Sequence, residues 1–316
     1  MAQIDFSALL IDNLQRYNTD FRKAANLITD PDRIINGLHF SEAFMQTLLH
    51  PEHPDYRVAW RMLLWEICCD APLLFHVTET NFRTRQQIMQ LPDGRTVPVC
   101  YPVPEMSLAD YRKMLETFLP EWIRFSADIR QKTAGCSTLA AALITALEIN
   151  KRCRYDYTYS HNAIRNVLHD GIALCWGFTG CFNAVMRQLG YRAEPVFTWD
   201  LGGEEHAWSA LFIPEQNRWC EIDVTWMNNT HKDKRFIDLC FFDCASGDKE
   251  GFPQHYAEKP ESVLLVTDPP AIDLSYNKGI GYQYLDHSRV VTEITHLLSD
   301  QFRLTFDDGS EEILQL

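Results

Sequence analysis

Three side chains that could perform acyl-transfer chemistry lie within one stretch of the chain, residues 171–226. They are Cys175, His206 and Asp223, in that order. A cysteine attacks a carbonyl carbon as the thiolate, so it needs a base or a positive potential beside it. A histidine can supply the base, and a carboxylate can hold the imidazole in one tautomer and orientation. These residue types together predict a cysteine nucleophile served by a histidine–aspartate pair.

The element that must present Cys175 is a helix that begins at this residue. The sequence predicts that it runs to about Leu189, with Gly190 as the residue that ends it. The N-terminus of a helix is positive, and its first N–H groups have no acceptor within the helix. A cysteine there is favoured as the thiolate, and the free N–H groups can bind an oxyanion. Gly177 and Gly180 are poor helix formers, so we expect close packing at these positions, against a sheet.

His206 and Asp223 must be presented by two strands, which we expect over 206–213 and 218–225, after another strand over 192–198. Side chains on a strand alternate between the two faces of a sheet. The two residues share a face if the loop between the strands has an even number of residues, such as 215–216 or 214–217. A five-residue loop over 214–218 would separate them unless a bulge intervened. The relay hypothesis therefore predicts an even loop or a bulge.

The rest of the chain is expected to form helices before this stretch and strands around and after it. Residues 4–70 have helical periodicity, whereas residues 72–101 alternate as strands do, around a turn at Pro92-Asp93-Gly94. Further helices are predicted over 108–119, from about 121 to 151, and over 162–168. A strand is predicted over 236–242, and the C-terminal residues form a hairpin with Asp308-Gly309 in its turn.

The composition limits the classes of function. The formal net charge of -14 argues against nucleic acid or an anionic membrane as a partner. The first residues lack a basic segment followed by an apolar one, and no apolar run is long enough to span a bilayer, so a cytoplasmic location is expected. The 10 cysteines are therefore expected to be reduced thiols. None has the spacing of a zinc site, and no metal or cofactor is predicted.

The motifs around the three residues resemble those of the transglutaminase-like superfamily, a papain-like group of Cys-His-Asp enzymes. The matching segments are Gly171 to Phe178 around the cysteine, Leu189-Gly190-Tyr191, His206-Ala207-Trp208, and Trp219 to Trp226 around the aspartate. Tyr155-Asp156, upstream of the cysteine, is also similar to a pair found in bacterial members. Two positions differ from the bacterial pattern: Trp176 follows the cysteine, and Arg165 stands where an aromatic residue is often found.

The resemblance implies an α+β fold, in which a helix bearing the cysteine packs on an antiparallel sheet bearing the histidine and the aspartate. Outside the segments that carry the resemblance, the hydrophobic patterns predict an N-terminal helical region with a β-hairpin leader over 1–104 and a β-rich C-terminal extension over 251–316, around a core over 105–250. Cys175 would be the nucleophile, His206 the general base and acid, and Asp223 the orienting carboxylate. Trp176, Trp208 and Trp226 are candidates to contact the substrate. The candidates for a side-chain donor to the oxyanion are His161, Asn162 and Tyr159.

The implied function is acyl transfer on an amide of a peptide or protein. Acidic calcium loops like those of animal transglutaminases are absent from the sequence, which favours hydrolysis of a peptide bond or side-chain amide over cross-linking. Peptide:N-glycanases and arylamine N-acetyltransferases share the relay, but the zinc-binding cysteine pairs of the former and the Arg-Gly-Gly of the latter are missing. The alternative is a binding or scaffold protein that retains the fold without catalysis. The sequence does not indicate an oligomeric state.

Overall fold

The computed structural model describes residues 64–66, 68–75, 82–90, 96–104, 106–201, 204–231, 234–244, 279–284 and 288–316. The helical prediction for 4–70 falls outside these ranges except at 64–66 and 68–70, which are helical. The turn predicted at residues 92–94 also lies outside them. The boundaries predicted at residues 105 and 250 stay predictions.

Two helices precede the cysteine segment. Helix α1 spans Leu108–Lys132 and helix α2 spans Thr138–Arg152. Each begins after a serine whose hydroxyl accepts a backbone N–H three residues on, since Ser107 caps α1 and Ser137 caps α2. α2 is buried along almost its whole length, from Thr138 to Asn150.

The prediction of separate helices on either side of Pro120 is wrong, because α1 continues through this residue. A proline inside a helix removes one N–H donor and leaves the carbonyl four residues earlier without it. Pro120 and Glu116 both lie on the exposed side of α1, where water can bind that carbonyl. Phe118 and Trp122 are buried on the other side of the helix. Burial of these two rings offsets the cost of the proline, and the actual break comes at 133–137.

Short elements then lead the chain to the cysteine. Strand β3 (Arg154–Tyr155) pairs in parallel with strand β4 (Ile172–Ala173), and helix α3 (Ile164–His169) lies between them. Helix α4 (Cys175–Gln188) follows β4 after a single residue. Gly190 has a φ of 95°, a left-handed conformation that glycine adopts without strain, and it ends the helix as predicted.

The central sheet has four antiparallel strands in the order β10–β7–β6–β5. They span Ala193–Leu201 (β5), Glu204–Ile213 (β6), Arg218–Ile222 (β7) and Phe242–Cys244 (β10). α4 packs on the face that carries Ala207, Leu211 and Ile222, which are fully buried with it in one apolar cluster. This combination of a cysteine-bearing helix and an antiparallel sheet confirms the predicted α+β fold class.

Three smaller units surround this core. Strands β1 (Phe82–Gln90) and β2 (Thr96–Pro104) form an antiparallel pair, as do β8 (Asn228–His231) and β9 (Lys234–Ile237). A turn of helix, α5 (Val224–Met227), precedes β8, and another, α6 (Ile280–Gln283), contacts β10. The strand predicted over 236–242 is wrong in one respect. Leu239–Phe241 form a 3₁₀ turn, which Asp238 caps, between β9 and β10.

The C-terminal residues form a three-stranded antiparallel sheet. Its strands are β11 (Val291–Leu298), β12 (Gln301–Phe306) and β13 (Glu311–Gln315). Gly309 has a φ of 82° in the turn between β12 and β13, which confirms the predicted hairpin. Phe302, Leu304 and Phe306 point from β12 into the apolar cluster of the core. The sheet is therefore packed on the body of the protein.

A buried arginine connects α4, β5 and the helical residues 64–70. The Arg187 guanidinium lies 2.8 Å from a Glu66 carboxylate oxygen, 2.9 Å from one of Asp70 and 3.2 Å from one of Glu194. Its Nε also donates to the carbonyl of Ala193 at 2.7 Å. All four charged side chains are buried. One cation thus compensates three carboxylates that would otherwise be costly to remove from water.

We predict that Arg187→Met lowers the free energy of unfolding by about 3–5 kcal/mol, because it leaves those carboxylates buried without a cation. Arg192→Met is the matched control. Arg192 is exposed, lies 3.8 Å from Glu194, and should contribute less than about 1 kcal/mol. Urea denaturation at neutral pH measures both variants. Equal losses in the two variants would contradict the assigned role of the buried cluster.

Candidate active site

Cys175 is the first residue of α4, and its side chain is only 5% exposed. The start of the helix is held by the carbonyl of Leu174, which accepts the N–H groups of Gly177 at 2.9 Å and Phe178 at 3.2 Å. The N–H groups of Cys175 and Trp176 precede the first acceptor that the helix could offer them. They are therefore available at the positive end of the helix, next to the sulfur.

Gly177 allows this end of α4 to approach its neighbours closely. A Cβ at this position would lie 2.8 Å from the Ala173 side chain and 3.2 Å from the carbonyl of Ala163. At Gly180 the nearest atoms belong to Ile164, at 3.0 Å. The expectation of close packing is therefore confirmed. Gly177 lies against Ala173 of strand β4, which pairs with β3, whereas Gly180 lies against Ile164 of α3.

His206, on β6, and Asp223, the residue after β7, meet at the end of the β6–β7 ladder. The residues of β6 and β7 pair from Ser209 with Ile222 to Ile213 with Arg218, which leaves the even loop 214–217. The register prediction is therefore confirmed. The Nε2 atom of His206 lies 2.5 Å from Oδ2 of Asp223, and both side chains are buried. A carboxylate so placed fixes the orientation of the ring and leaves its other nitrogen, Nδ1, for another partner.

Asp223 has a second contact besides the one with the imidazole. Strand β7 ends at Ile222, three residues earlier than expected, and Asp223 is the N-cap of α5. Its Oδ1 atom accepts the N–H of Trp226 at 3.0 Å. One carboxylate oxygen therefore caps a turn while the other binds the imidazole. The cap restrains the carboxylate, so the two roles support each other.

Cys175, the third residue of the site, lies close enough to His206 to influence the pKa of its ring. Burial lowers the pKa of His206, but the charge and hydrogen bond of Asp223, with a further contribution from Cys175, raise it to about 10. The imidazole is therefore protonated at neutral pH. A cation at this place favours the thiolate form of an adjacent cysteine.

The three tryptophans predicted to contact substrate lie in different surroundings. Trp226 is half-buried and stacks on His206, with 4.6 Å between ring centroids and 16° between the planes. Trp208 is fully buried and lies 5.9 Å from the same ring. Trp176 is buried between Trp65 and Phe197, each at 4.7 Å. Their roles in binding stay predictions, and Trp226 is the one with exposed surface.

The segment before Cys175 contains the residues predicted as oxyanion donors. His161 accepts the N–H of Leu174 through its carbonyl at 2.8 Å, and its Nδ1 lies 2.8 Å from Asp156. Asn162 is half-buried, and its side-chain oxygen, which is buried, has no hydrogen-bond partner within the described parts of the chain. Tyr159 is exposed, with a φ of 56°. The oxyanion role of these three residues stays a prediction.

Two buried carboxyl groups near the site were given no role from the sequence. Asp156, in the Tyr155-Asp156 pair, organises the segment that leads to His161. Glu221 lies on the same face as Asp223, two residues earlier on β7. Burial raises the pKa of Glu221 to about 8, the Trp208 indole opposes the shift, and the charge of Asp223 adds to it. In the sequence, the alternation of side chains along β7 is the only sign that Glu221 is near the site. A single glutamate without a motif around it does not indicate a functional role.

No group of three or more His, Cys, Asp or Glu side chains in the described residues is placed to hold a metal ion. Within the same residues, no helix is both long and apolar enough to cross a bilayer.

The comparisons with known proteins agree with the motifs. Residues 124–224, which include all three site residues, match the sequence model of the Transglutaminase-like superfamily. This match confirms the resemblance noted in the sequence. No protein of curated function matches this chain.

Among solved structures, the protein is similar to one described as a TGase, with 16% identity over 50% of this chain and 48% of that chain, and a TM-score of 0.31. A putative cysteine protease from Cytophaga hutchinsonii has 12% identity over 51% and 65% of the two chains, with a TM-score of 0.29. The periplasmic domain of TgpA from Pseudomonas aeruginosa has 17% identity over 47% and 68%, with a TM-score of 0.27. The chain thus spans about half the length of the TGase and less than two thirds of the Cytophaga protein.

We predict that Asp223→Asn lowers the pKa of His206, because it removes the negative charge that stabilises the imidazolium. The cap of α5 remains, because an asparagine oxygen can still accept the N–H of Trp226. The pKa of His206 is raised from 6.5 to about 10 in the folded protein. The stability that this shift contributes is fully present below about pH 6.5 and is lost as the pH rises through about 10. The difference in unfolding free energy between wild type and variant should therefore shrink from pH 6 to pH 10. A difference that stays constant or grows over this range would contradict the protonated ring.

We also predict that iodoacetamide alkylates Cys175 faster than Cys136 at neutral pH. Cys136 is the more exposed of the two, but burial and the nearby Asp300 raise its pKa. Accessibility alone therefore favours Cys136, whereas a neighbouring imidazolium favours Cys175. Peptide mass spectrometry after short exposure measures both rates. Faster labelling of Cys136 would show that the Cys175 thiol is not activated.

Proposed function

We propose that the protein is a cysteine-dependent enzyme that transfers the acyl group of a peptide or protein amide, with water as the usual acceptor. The observation that carries this proposal is the buried hydrogen bond of 2.5 Å between His206 and Asp223, with Cys175 at the start of α4 close enough to influence the pKa of the His206 ring. A purely structural histidine needs neither a cysteine at a helix N-terminus nor a carboxylate that holds it protonated. A transglutaminase-like core over residues 124–224 supports the same reading.

In the first half of the reaction the Cys175 thiolate attacks the carbonyl carbon of the amide. The carbonyl π electrons move to oxygen, and the N–H groups at the start of α4 can donate to the oxyanion. When the tetrahedral intermediate collapses, the C–N bond breaks and the amine leaves with the proton of the His206 imidazolium. The products of this half are a thioester on Cys175, a neutral imidazole and a free amine or ammonia.

In the second half the neutral imidazole acts as the base. It takes a proton from water, whose oxygen attacks the thioester carbonyl, and the C–S bond breaks when the second tetrahedral intermediate collapses. The acid is released, and the thiolate–imidazolium pair is restored. A primary amine in place of water would give a new amide by the same steps. We favour water because the sequence has no acidic calcium loops like those of animal transglutaminases.

Mass spectrometry of a Gln-containing peptide incubated with the enzyme, with and without methylamine, tests this proposal. Conversion of the side-chain amide to the acid indicates deamidation, two fragments indicate proteolysis, and a methylamide indicates transfer. We expect Cys175→Ser and Asp223→Asn to lower kcat/KM by at least about 100-fold, because each removes part of the relay.

Cys136→Ser is the matched control, since Cys136 lies outside the site, with its sulfur 3.2 Å from the Ser299 carbonyl. It should retain wild-type activity. Turnover that survives Cys175→Ser would exclude the assigned nucleophile. Binding of peptides by a folded wild type without any product would instead favour a non-catalytic binding protein.

A further inference from the structure

The segment 156–161 presents two exposed tyrosines on a fixed turn. The side chains of Tyr157 and Tyr159 are 81% and 66% exposed, although large apolar surfaces are usually buried. The half-buried Tyr155 ring supports Tyr157 from one side, in an edge contact with 5.1 Å between centroids. Neither exposed ring is accounted for by packing within the described parts of the protein.

The Asp156 carboxylate, which is buried, holds this segment in one conformation. Its Oδ1 accepts the N–H and the hydroxyl of Thr158, at 2.8 and 2.6 Å. Its Oδ2 accepts the N–H of Ser160 at 2.8 Å, the N–H of His161 at 3.0 Å and Nδ1–H of His161 at 2.8 Å. These bonds lower the pKa of Asp156 well below its usual range, despite its burial. The two tyrosines are therefore presented by a restrained backbone.

The same segment is joined to the start of α4. The backbone of Asp156 donates to the carbonyl of Ala173 at 2.9 Å, and the carbonyl of His161 accepts the N–H of Leu174, the residue before Cys175, at 2.8 Å. A substrate carbonyl that binds the first N–H groups of α4 must approach from the side of the helix N-terminus. The segment 156–161 is thus bonded directly to the two residues that precede Cys175.

The exposed part of this segment is uncharged. Residues 157–160 are Tyr-Thr-Tyr-Ser, in a chain whose net charge is -14. Aromatic rings and hydroxyls suit a neutral polypeptide, because rings cover apolar side chains while hydroxyls bind backbone groups. An extended peptide advances about 3.3 Å per residue, so residues within a few positions of the reacting amide can reach this surface.

We propose that Tyr157 and Tyr159 form a docking surface for the peptide substrate, which binds apolar residues that flank the reacting amide. The inference rests on the proposed function, because it assigns a substrate subsite to the Cys175 centre. Specificity for apolar flanking residues then arises outside the three residues of the relay. Asp156 acts as a positioning residue, because it fixes both the tyrosines and the backbone that leads to Leu174.

The test uses two capped neutral peptides, acetyl-Ala-Phe-Gln-Leu-Ala-amide and acetyl-Ala-Ser-Gln-Ser-Ala-amide, as protectors of Cys175 against iodoacetamide. In the wild type the apolar peptide should halve the alkylation rate at a concentration about fivefold lower than the serine peptide. In Tyr157→Ala/Tyr159→Ala this preference should disappear. The alkylation rate without peptide should not change, since iodoacetamide needs no docking surface.

Ile313→Ala is the matched control, because Ile313 is 59% exposed on the C-terminal sheet and should affect neither rate. An undiminished preference in the double variant, or no preference in the wild type, overturns the docking surface. If Cys175 in the wild type without peptide is alkylated more slowly than Cys136, the proposed function is refuted, and the docking surface with it. The two failures are thus distinguished by one measurement on one protein.

Discussion

The buried contact between the His206 ring and the Asp223 carboxylate is the interaction on which the rest of the site depends. A carboxylate with no exposed surface is costly unless a cation or several donors compensate it. Asp223 obtains one donor from the backbone of Trp226 and one from the imidazole. The imidazole compensates this carboxylate more strongly as a cation than as a neutral ring. That cation is then available to the sulfur at the start of α4.

Several elements serve this contact although they lie outside it. The even loop between β6 and β7 places both residues on one face of the sheet. The parallel pairing of β3 with β4, and the absence of a side chain at Gly177, hold the first turn of α4 against the segment from Ala163 to Ala173. The Arg187 cluster connects the other end of α4 to β5 and to residues 64–70. The site is thus the meeting point of a helix and a sheet, each fixed separately.

Much of this arrangement could be predicted from the sequence, because its determinants are local. Helix α4 follows from its apolar pattern and from Gly190, and the face shared by His206 and Asp223 follows from the number of residues in one loop. The features that were missed depend on contacts between distant residues. The residues around Pro120 do not indicate that the helix continues across it, because this depends on the burial of Phe118 and Trp122 against distant parts of the chain. Arg187 likewise contacts Glu66 and Asp70, and Trp176 contacts Trp65. In both cases the partners are more than 100 residues away in the sequence.

The protonation of the His206 ring at neutral pH, between the Asp223 carboxylate and the Cys175 sulfur, is the property on which the proposed chemistry depends. The ¹⁵N chemical shifts of its imidazole, followed by NMR from pH 5 to pH 11, measure this directly. Both ring nitrogens should remain protonated through neutral pH, and the ring should titrate near pH 10, as the raised pKa requires. A ring that loses its proton near pH 6.5, the value of a free histidine, would contradict it.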